Sequence, residues 1–103
     1  MSGYMPDNFK AKPLNIGLDF DGTVTADPEL WLKIVKLFRD RGHKVYVVTY
    51  RYPHPEKNKD MDFLRGHVDN IFFTSYTQKR KHMSVSEGIY IDIWIDDMPE
   101  LIP

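Results

Sequence analysis

Short apolar runs separated by polar turns, with one stretch of helical spacing among them, organise this chain. Leu14-Asn15-Ile16-Gly17-Leu18-Asp19-Phe20 stops abruptly at Asp21-Gly22-Thr23, the pattern of a buried strand ending in a tight turn. Leu30, Trp31, Ile34, Val35, Leu37 and Phe38 then recur at spacings of three and four. Asp27-Pro28-Glu29 supplies an N-cap acceptor, a proline preset for the first turn and an acid for the positive helix end, and Gly42 stands where a left-handed cap belongs. The spacing predicts an amphipathic helix over 28–41.

Lys44–Thr49 is β-branched and aromatic and reads as a second strand. After a proline-containing loop, 56–67 is expected to be a weakly patterned helix resting on Met61 and Leu64, with Val68 just beyond it. A third strand is expected at 71–74, a short basic helix at 79–86 and a fourth strand at 89–95. Tyr46, Phe72, Phe73 and Trp94 should be mostly core, with Tyr50, Tyr52 and Tyr76 near the mouth of a site. Strands alternating with helices imply an α/β, three-layer, Rossmann-like parallel sheet with helices on both faces. Residues 1–13, with Gly3, Pro6 and Pro13 and no periodicity, are expected to be an extended or disordered lead-in to a folded domain at 14–103.

Composition narrows the chemistry. The chain has 103 residues, enough for one domain, and 14 Lys+Arg against 15 Asp+Glu give a net charge of −1. That balance argues against a generally basic nucleic-acid binder, and no duplex nucleic acid is expected as partner. Zero cysteines exclude a disulfide framework, a thiol nucleophile and a cysteine-based zinc site. His43, His67 and His82 lack metal-ligand spacing and read as structural or surface residues. The most apolar run, Ile89–Ile95, is interrupted by Asp92, and the N-terminus carries no apolar signal stretch. No membrane partner and a cytoplasmic location are therefore expected.

In a parallel sheet the ligand site lies outside the carboxyl ends of the strands. Here those ends carry Asp19 and Asp21, Thr49, Thr74, and Asp96 and Asp97. Four acids at one edge repel unless a cation sits among them, and a hard divalent ion that keeps several waters, Mg²⁺, suits such a group. A phosphate-bearing ligand would complete its shell.

Asp19-Phe20-Asp21-Gly22-Thr23-Val24-Thr25 resembles the first motif of the haloacid dehalogenase superfamily, mostly Mg²⁺-dependent phosphatases. The resemblance implies that Asp19 attacks phosphorus, that Asp21 protonates the leaving oxygen and later activates water, and that Gly22 lets the chain turn beside the phosphate. Thr49 matches the family's phosphoryl-binding Ser/Thr, Lys79 (or Lys81, two residues on) its basic residue, and Asp96-Asp97 its acidic fourth motif. Asp19, the main-chain carbonyl of Asp21 and Asp97 would then hold the metal, with Asp96 supporting through water or Lys79. The spacings from Asp19 to Thr49 and from Thr49 to Lys79 are 49 − 19 = 30 and 79 − 49 = 30, each close to one strand–helix–strand unit.

Thr49-Tyr50-Arg51 and Ile95–Glu100 look most like members acting on nucleotides and polynucleotide ends, such as deoxyribonucleotidases and polynucleotide phosphatases, which adds Tyr50 and Arg51 as substrate contacts. His54 follows in the same loop and is a further candidate contact. The intervals between motifs leave no room for a cap domain, and the chain stops at Pro103 soon after the fourth motif. An open pocket, or one closed by a second copy through Tyr4, Phe9 or the 51–58 loop, is therefore expected, with a homo-oligomer as the assembly. The expected activity is hydrolysis of a phosphomonoester on a nucleotide or other phosphorylated small molecule. The alternative is a non-catalytic protein that sequesters such a ligand, a role suited to a compact, phage-encoded chain in its host's cytoplasm.

Overall fold

The computed structural model describes residues 9–103. Tyr4 and the rest of the 1–8 portion of the expected lead-in lie outside the described residues, and 9–13 follow as exposed chain without regular structure. Four strands, β1 (Asn15–Leu18), β2 (Lys44–Thr49), β3 (Asn70–Phe73) and β4 (Ile93–Ile95), form one sheet in the order β3-β2-β1-β4. Every pairing is parallel, with Leu18 beside Val47 on one side and Ile95 on the other, and Thr49 beside Phe73. This is the α/β architecture the alternation predicts.

The strand period of two divides the side chains between two cores. Ile16, Leu18, Val45 and Val47 face one side, where they pack with Phe20, Val24, Val35, Met61 and Leu64. Val48 faces the other, with Met83, Ile91 and the partly buried Tyr46, Phe72 and Trp94. Gly17 belongs to that second face, where a Cβ would lie 2.8 Å from Trp94 Cε3, so only glycine lets the indole lie flat on β1. Phe73 packs on the first core, so all four predicted strand aromatics touch a core but none is fully buried.

Helix α1 (Pro28–Asp40) has the caps its sequence announces. The Asp27 carboxylate accepts from Leu30 N at 3.2 Å. At the other end Gly42 (φ +89°) donates to Arg39 O and His43 N to Phe38 O, both at 3.0 Å, a Schellman closure. Leu30 and Leu37, counted in the apolar pattern, are exposed, and Leu32 packs on the core instead.

Three expected elements change. The 56–67 helix is a 3-10 segment, Glu56–Leu64, kinked at Asn58, whose buried amide donates to Tyr52 O and accepts from Arg51 instead of facing solvent. The 79–86 helix is a single α turn, α2 (Lys79–Lys81), opening into a π turn at His82–Ser86. The fourth strand is shorter than 89–95: Asn15 N donates to the Asp92 carboxylate and Asn15 Nδ2 to Tyr90 O, so side chains satisfy the backbone before the ladder starts. Among the described residues, no helix is long and apolar enough to cross a membrane.

Candidate active site

The carboxyl ends of β1 and β4 bring three acids together. Asp19 follows β1 and is 7% exposed, and its N–H donates to Ile95 O at 2.9 Å, extending the β1–β4 pairing to the site. Asp96 and Asp97 follow β4, and one carboxylate oxygen from each of Asp19, Asp96 and Asp97 lies within 4.8 Å of the others. Lys79, at the start of α2, is 1% exposed and donates to Asp19 Oδ1 at 2.8 Å and Asp96 Oδ2 at 2.5 Å. Between the two lysines left open by the sequence, Lys79 therefore enters the cluster, while Lys81 is exposed.

With all three acids ionised, one ammonium against three carboxylates leaves two negative charges uncompensated. Asp19 Oδ2 and Asp97 Oδ1 share the Thr23 hydroxyl, at 3.2 and 3.5 Å, and a hydroxyl has one proton to give. Burial is the main cause that pushes the Asp19 carboxyl up to about 7; the Lys79 hydrogen bond opposes it and a hydrogen bond with Asp97 adds to it. A set of hard oxygen donors with excess charge suits a divalent cation of the Mg²⁺ or Ca²⁺ type. A cavity of about 330 Å³ lined by Gly22, Thr23, Asp96 and Asp97 opens beside them.

Gly22 is required twice over. Its φ of +86° is one that side chains resist, and a Cβ there would overlap Asp97 Oδ2. The loop after β1 thus receives the Asp97 carboxylate against bare backbone.

Asp21 points into a different constellation. Its two oxygens accept from Arg51 Nη2 at 2.7 Å and Nε at 3.0 Å. The same guanidinium donates to Asp60 Oδ1 and Oδ2 at 2.8 and 2.9 Å and to Asn58 Oδ1 at 3.2 Å, and lies 5.2 Å from the Phe20 ring centre. All five of its N–H donors are thereby engaged. Asp60 is held below the usual carboxylate range by Arg51, and Arg51 is raised in turn by Asp60 first and Asp21 second. Arg51, expected as a substrate contact, is here the link between two acids.

Thr49 is buried at the end of β2, where its hydroxyl accepts from Arg51 N at 3.4 Å. Thr74, at the matching end of β3, is also buried, and its hydroxyl has no partner among the described residues. Beyond it the chain turns through two left-handed residues, Ser75 (φ +53°) and Tyr76 (φ +65°). Such positions in non-glycine residues cost about 1–3 kcal/mol each. Backbone bonds from Ser75 N to Arg51 O (3.2 Å) and Tyr76 N to Tyr50 O (2.8 Å) hold them.

Thr23, Asn58 and Asp60 were not singled out by the sequence. Thr23 lay inside the first motif and differed from its neighbours in no visible way; Asn58 and Asp60 sit in a segment whose weak period hid the kink. A cleft of about 680 Å³ lies at the opposite edge, where β2 begins, among Lys33, Lys36, Arg39 and Lys44. Two of those cations already pair, Lys36 with Asp40 and Arg39 with Asp69.

No family model matches the chain, and neither the curated proteins nor the solved structures contain a match to it.

Proposed function

We propose that this protein is a Mg²⁺-dependent phosphohydrolase of the haloacid dehalogenase type, acting on a phosphomonoester through an aspartyl-phosphate. The observation that carries the reading is the Asp19–Lys79–Asp96 chain of hydrogen bonds beside Asp97, which joins residues 60 and 17 positions apart. It is supported by the order of the four motif-like segments along the chain and by the position of each beyond the carboxyl end of a strand.

In this reading an Asp19 carboxylate oxygen attacks phosphorus, and the bond to the leaving oxygen breaks with its electron pair. Asp21 delivers a proton to that oxygen. Asp21 then takes a proton from a water whose oxygen attacks the aspartyl-phosphate, releasing inorganic phosphate and restoring Asp19. Lys79 keeps Asp19 oriented, and Thr49 and the Gly22 turn contact the phosphoryl group. Asp19, Asp97 and the Asp21 carbonyl would hold Mg²⁺, whose charge offsets that of the phosphoryl group and lets an anionic nucleophile approach it. A homo-oligomer in the cytoplasm belongs to the same proposal, with the edge strand β4, where Ile93 is 41% exposed, as one surface that a second copy would cover.

A second reading, capture of a phosphorylated ligand without turnover, is favoured by one observation: both Asp21 oxygens are taken by Arg51, so the acid faces a leaving group only after Arg51 yields. Phosphate release from a panel of nucleotides and sugar phosphates, with and without Mg²⁺, separates the two. Asp19→Asn should abolish release while the fold persists, since the amide is nearly isosteric but a poor nucleophile. Undiminished turnover in that variant would sink the covalent route, and ligand binding without release in the wild type would select capture.

A further inference from the structure

A cleft of about 470 Å³ lies beside Arg51, lined by Tyr52, His54, Lys57, Asn58, Asp60 and Tyr76 together with Arg51 itself. One wall is aromatic. The Tyr76 ring is the centre of an edge-to-face chain, 5.5 Å from Tyr50 at 75° and 5.2 Å from Tyr52 at 62°. A tyrosine inside a core buries its ring and leaves its hydroxyl a partner. Here Tyr76 and Tyr52 are 62% and 59% exposed, so two large rings are held against each other and yet left open.

The backbone holds this arrangement against its own preferences. A left-handed tyrosine is a true outlier, and two consecutive left-handed residues bring Tyr76 back over Tyr50 with its N–H bonded to the Tyr50 carbonyl. A simple turn would use glycine at that point; this one uses a residue whose ring then faces the cleft. The remaining lining is of a different kind. Asn58 is already satisfied by Arg51 and Tyr52, which fixes the floor, whereas Lys57 makes no ion pair among the described residues. The cleft thus offers a π-surface, the Lys57 ammonium, which has no ion-pair partner among the described residues, and the polar edge of His54. Since Arg51 lines it while holding Asp21, a ligand in the cleft would reach the catalytic edge across one side chain.

Given the reading of that edge as a phosphomonoester site, on which this step rests, we infer that the Tyr52–Tyr76 platform binds the base of a nucleoside monophosphate by stacking, with the phosphate directed past Arg51 to Asp19. Every base has a π-face, so the platform selects nucleotides over sugar phosphates without choosing strongly among bases.

The test is calorimetric titration of the full chain carrying Asp19→Asn, which keeps phosphate ligands intact, with adenosine monophosphate, ribose phosphate and adenosine in Mg²⁺. Adenosine monophosphate should bind about 5- to 150-fold tighter than ribose phosphate, the range of one base–aromatic stack. Tyr76→Asn, which tolerates the left-handed turn, together with Tyr52→Ser should collapse that ratio toward one, and Tyr76→Phe should keep it. Equal affinities for the two phosphates, or a ratio that survives the double variant, would overturn the platform while leaving the phosphate site standing. Tyr76-dependent binding of adenosine that no phosphate improves would support the platform and overturn the phosphate site. Absence of all binding would overturn both. A short single-stranded oligonucleotide with a terminal phosphate forms a further arm: Tyr76-dependent binding tighter than the mononucleotide supports the platform and assigns it to a strand end, and weaker binding supports it as a site for free nucleotides.

Discussion

Arg51 grips Asp21 and Asp60 at the same time, through two pairs of hydrogen bonds between 2.7 and 3.0 Å. Asp21 is 57% exposed as a side chain and Asp60 54%, so neither would hold a fixed geometry alone. The planar guanidinium supplies the fork that both need, and Phe20 stacks beneath it. If Asp21 moves the proton, the accuracy of that transfer is set by a residue that follows a different strand.

Arg51→Lys removes the fork and keeps the charge. It should lower turnover of an alkyl phosphate by about 10²-fold, the cost of a misplaced catalytic group. The loss on p-nitrophenyl phosphate should be much smaller, since that leaving group needs no proton. Asp60→Asn should show the same pattern, weakened. Steady-state kinetics on both substrates check this, and equal losses on the two would rule out positioning of an acid.

Gly22→Ala places a methyl where Asp97 Oδ2 now sits and keeps the unfavourable φ. A stability loss of about 1–3 kcal/mol is expected. The rise in Tm on adding Mg²⁺ should shrink as well, because the displaced carboxylate is one of the acids the ion would join. Thermal melts with and without Mg²⁺ measure both, and an undiminished metal-induced rise would show that Asp97 does not bind it.

Lys79→Met strips the one ammonium from two buried acids. Removing one partner of a buried ion pair costs about 3–5 kcal/mol, because the other charge stays behind in low dielectric. Combining it with Asp19→Asn should cost less than the sum of the two single changes, since the second change removes a charge the first left uncompensated. Urea unfolding of the four proteins in that cycle decides, with simple additivity as the contrary result.

The buried Asp19 carboxyl predicts an unusual pH dependence. Its folded value, about 7, lies above the ordinary 3.8, so between these the folded chain binds the extra proton. Stability of the metal-free protein should therefore fall as pH rises from about 4 to about 7 and level off above. Asp60, held low by Arg51, works in the opposite sense below pH 4. If Mg²⁺ is the ion these acids hold, it would join their ionised forms alone and should reverse the loss near neutrality. Denaturant midpoints across this range test the slope, and Asp19→Asn should abolish it.

Local chemistry in the sequence determined the strands at 15–18 and 44–49, helix α1 with both its caps, and the collection of Asp19, Thr49 and Asp96-Asp97 at strand ends. Those features depend on periods of two and 3.6 and on residues within a few positions of one another, so they survive without knowledge of neighbours. Tertiary structure alone decided the rest. Which lysine enters the acid cluster turned on how α2 meets β4, and Lys79 and Lys81 look alike until one is buried. That Arg51 would face Asp21 and Asp60 rather than solvent required the kink at Asn58, made by a side chain bonding to Tyr52 and Arg51. The late start of β4 followed from Asn15 bonding to Asp92, 77 positions away. In each case a polar side chain satisfied a distant partner, and such bonds leave no periodic trace in the chain that makes them.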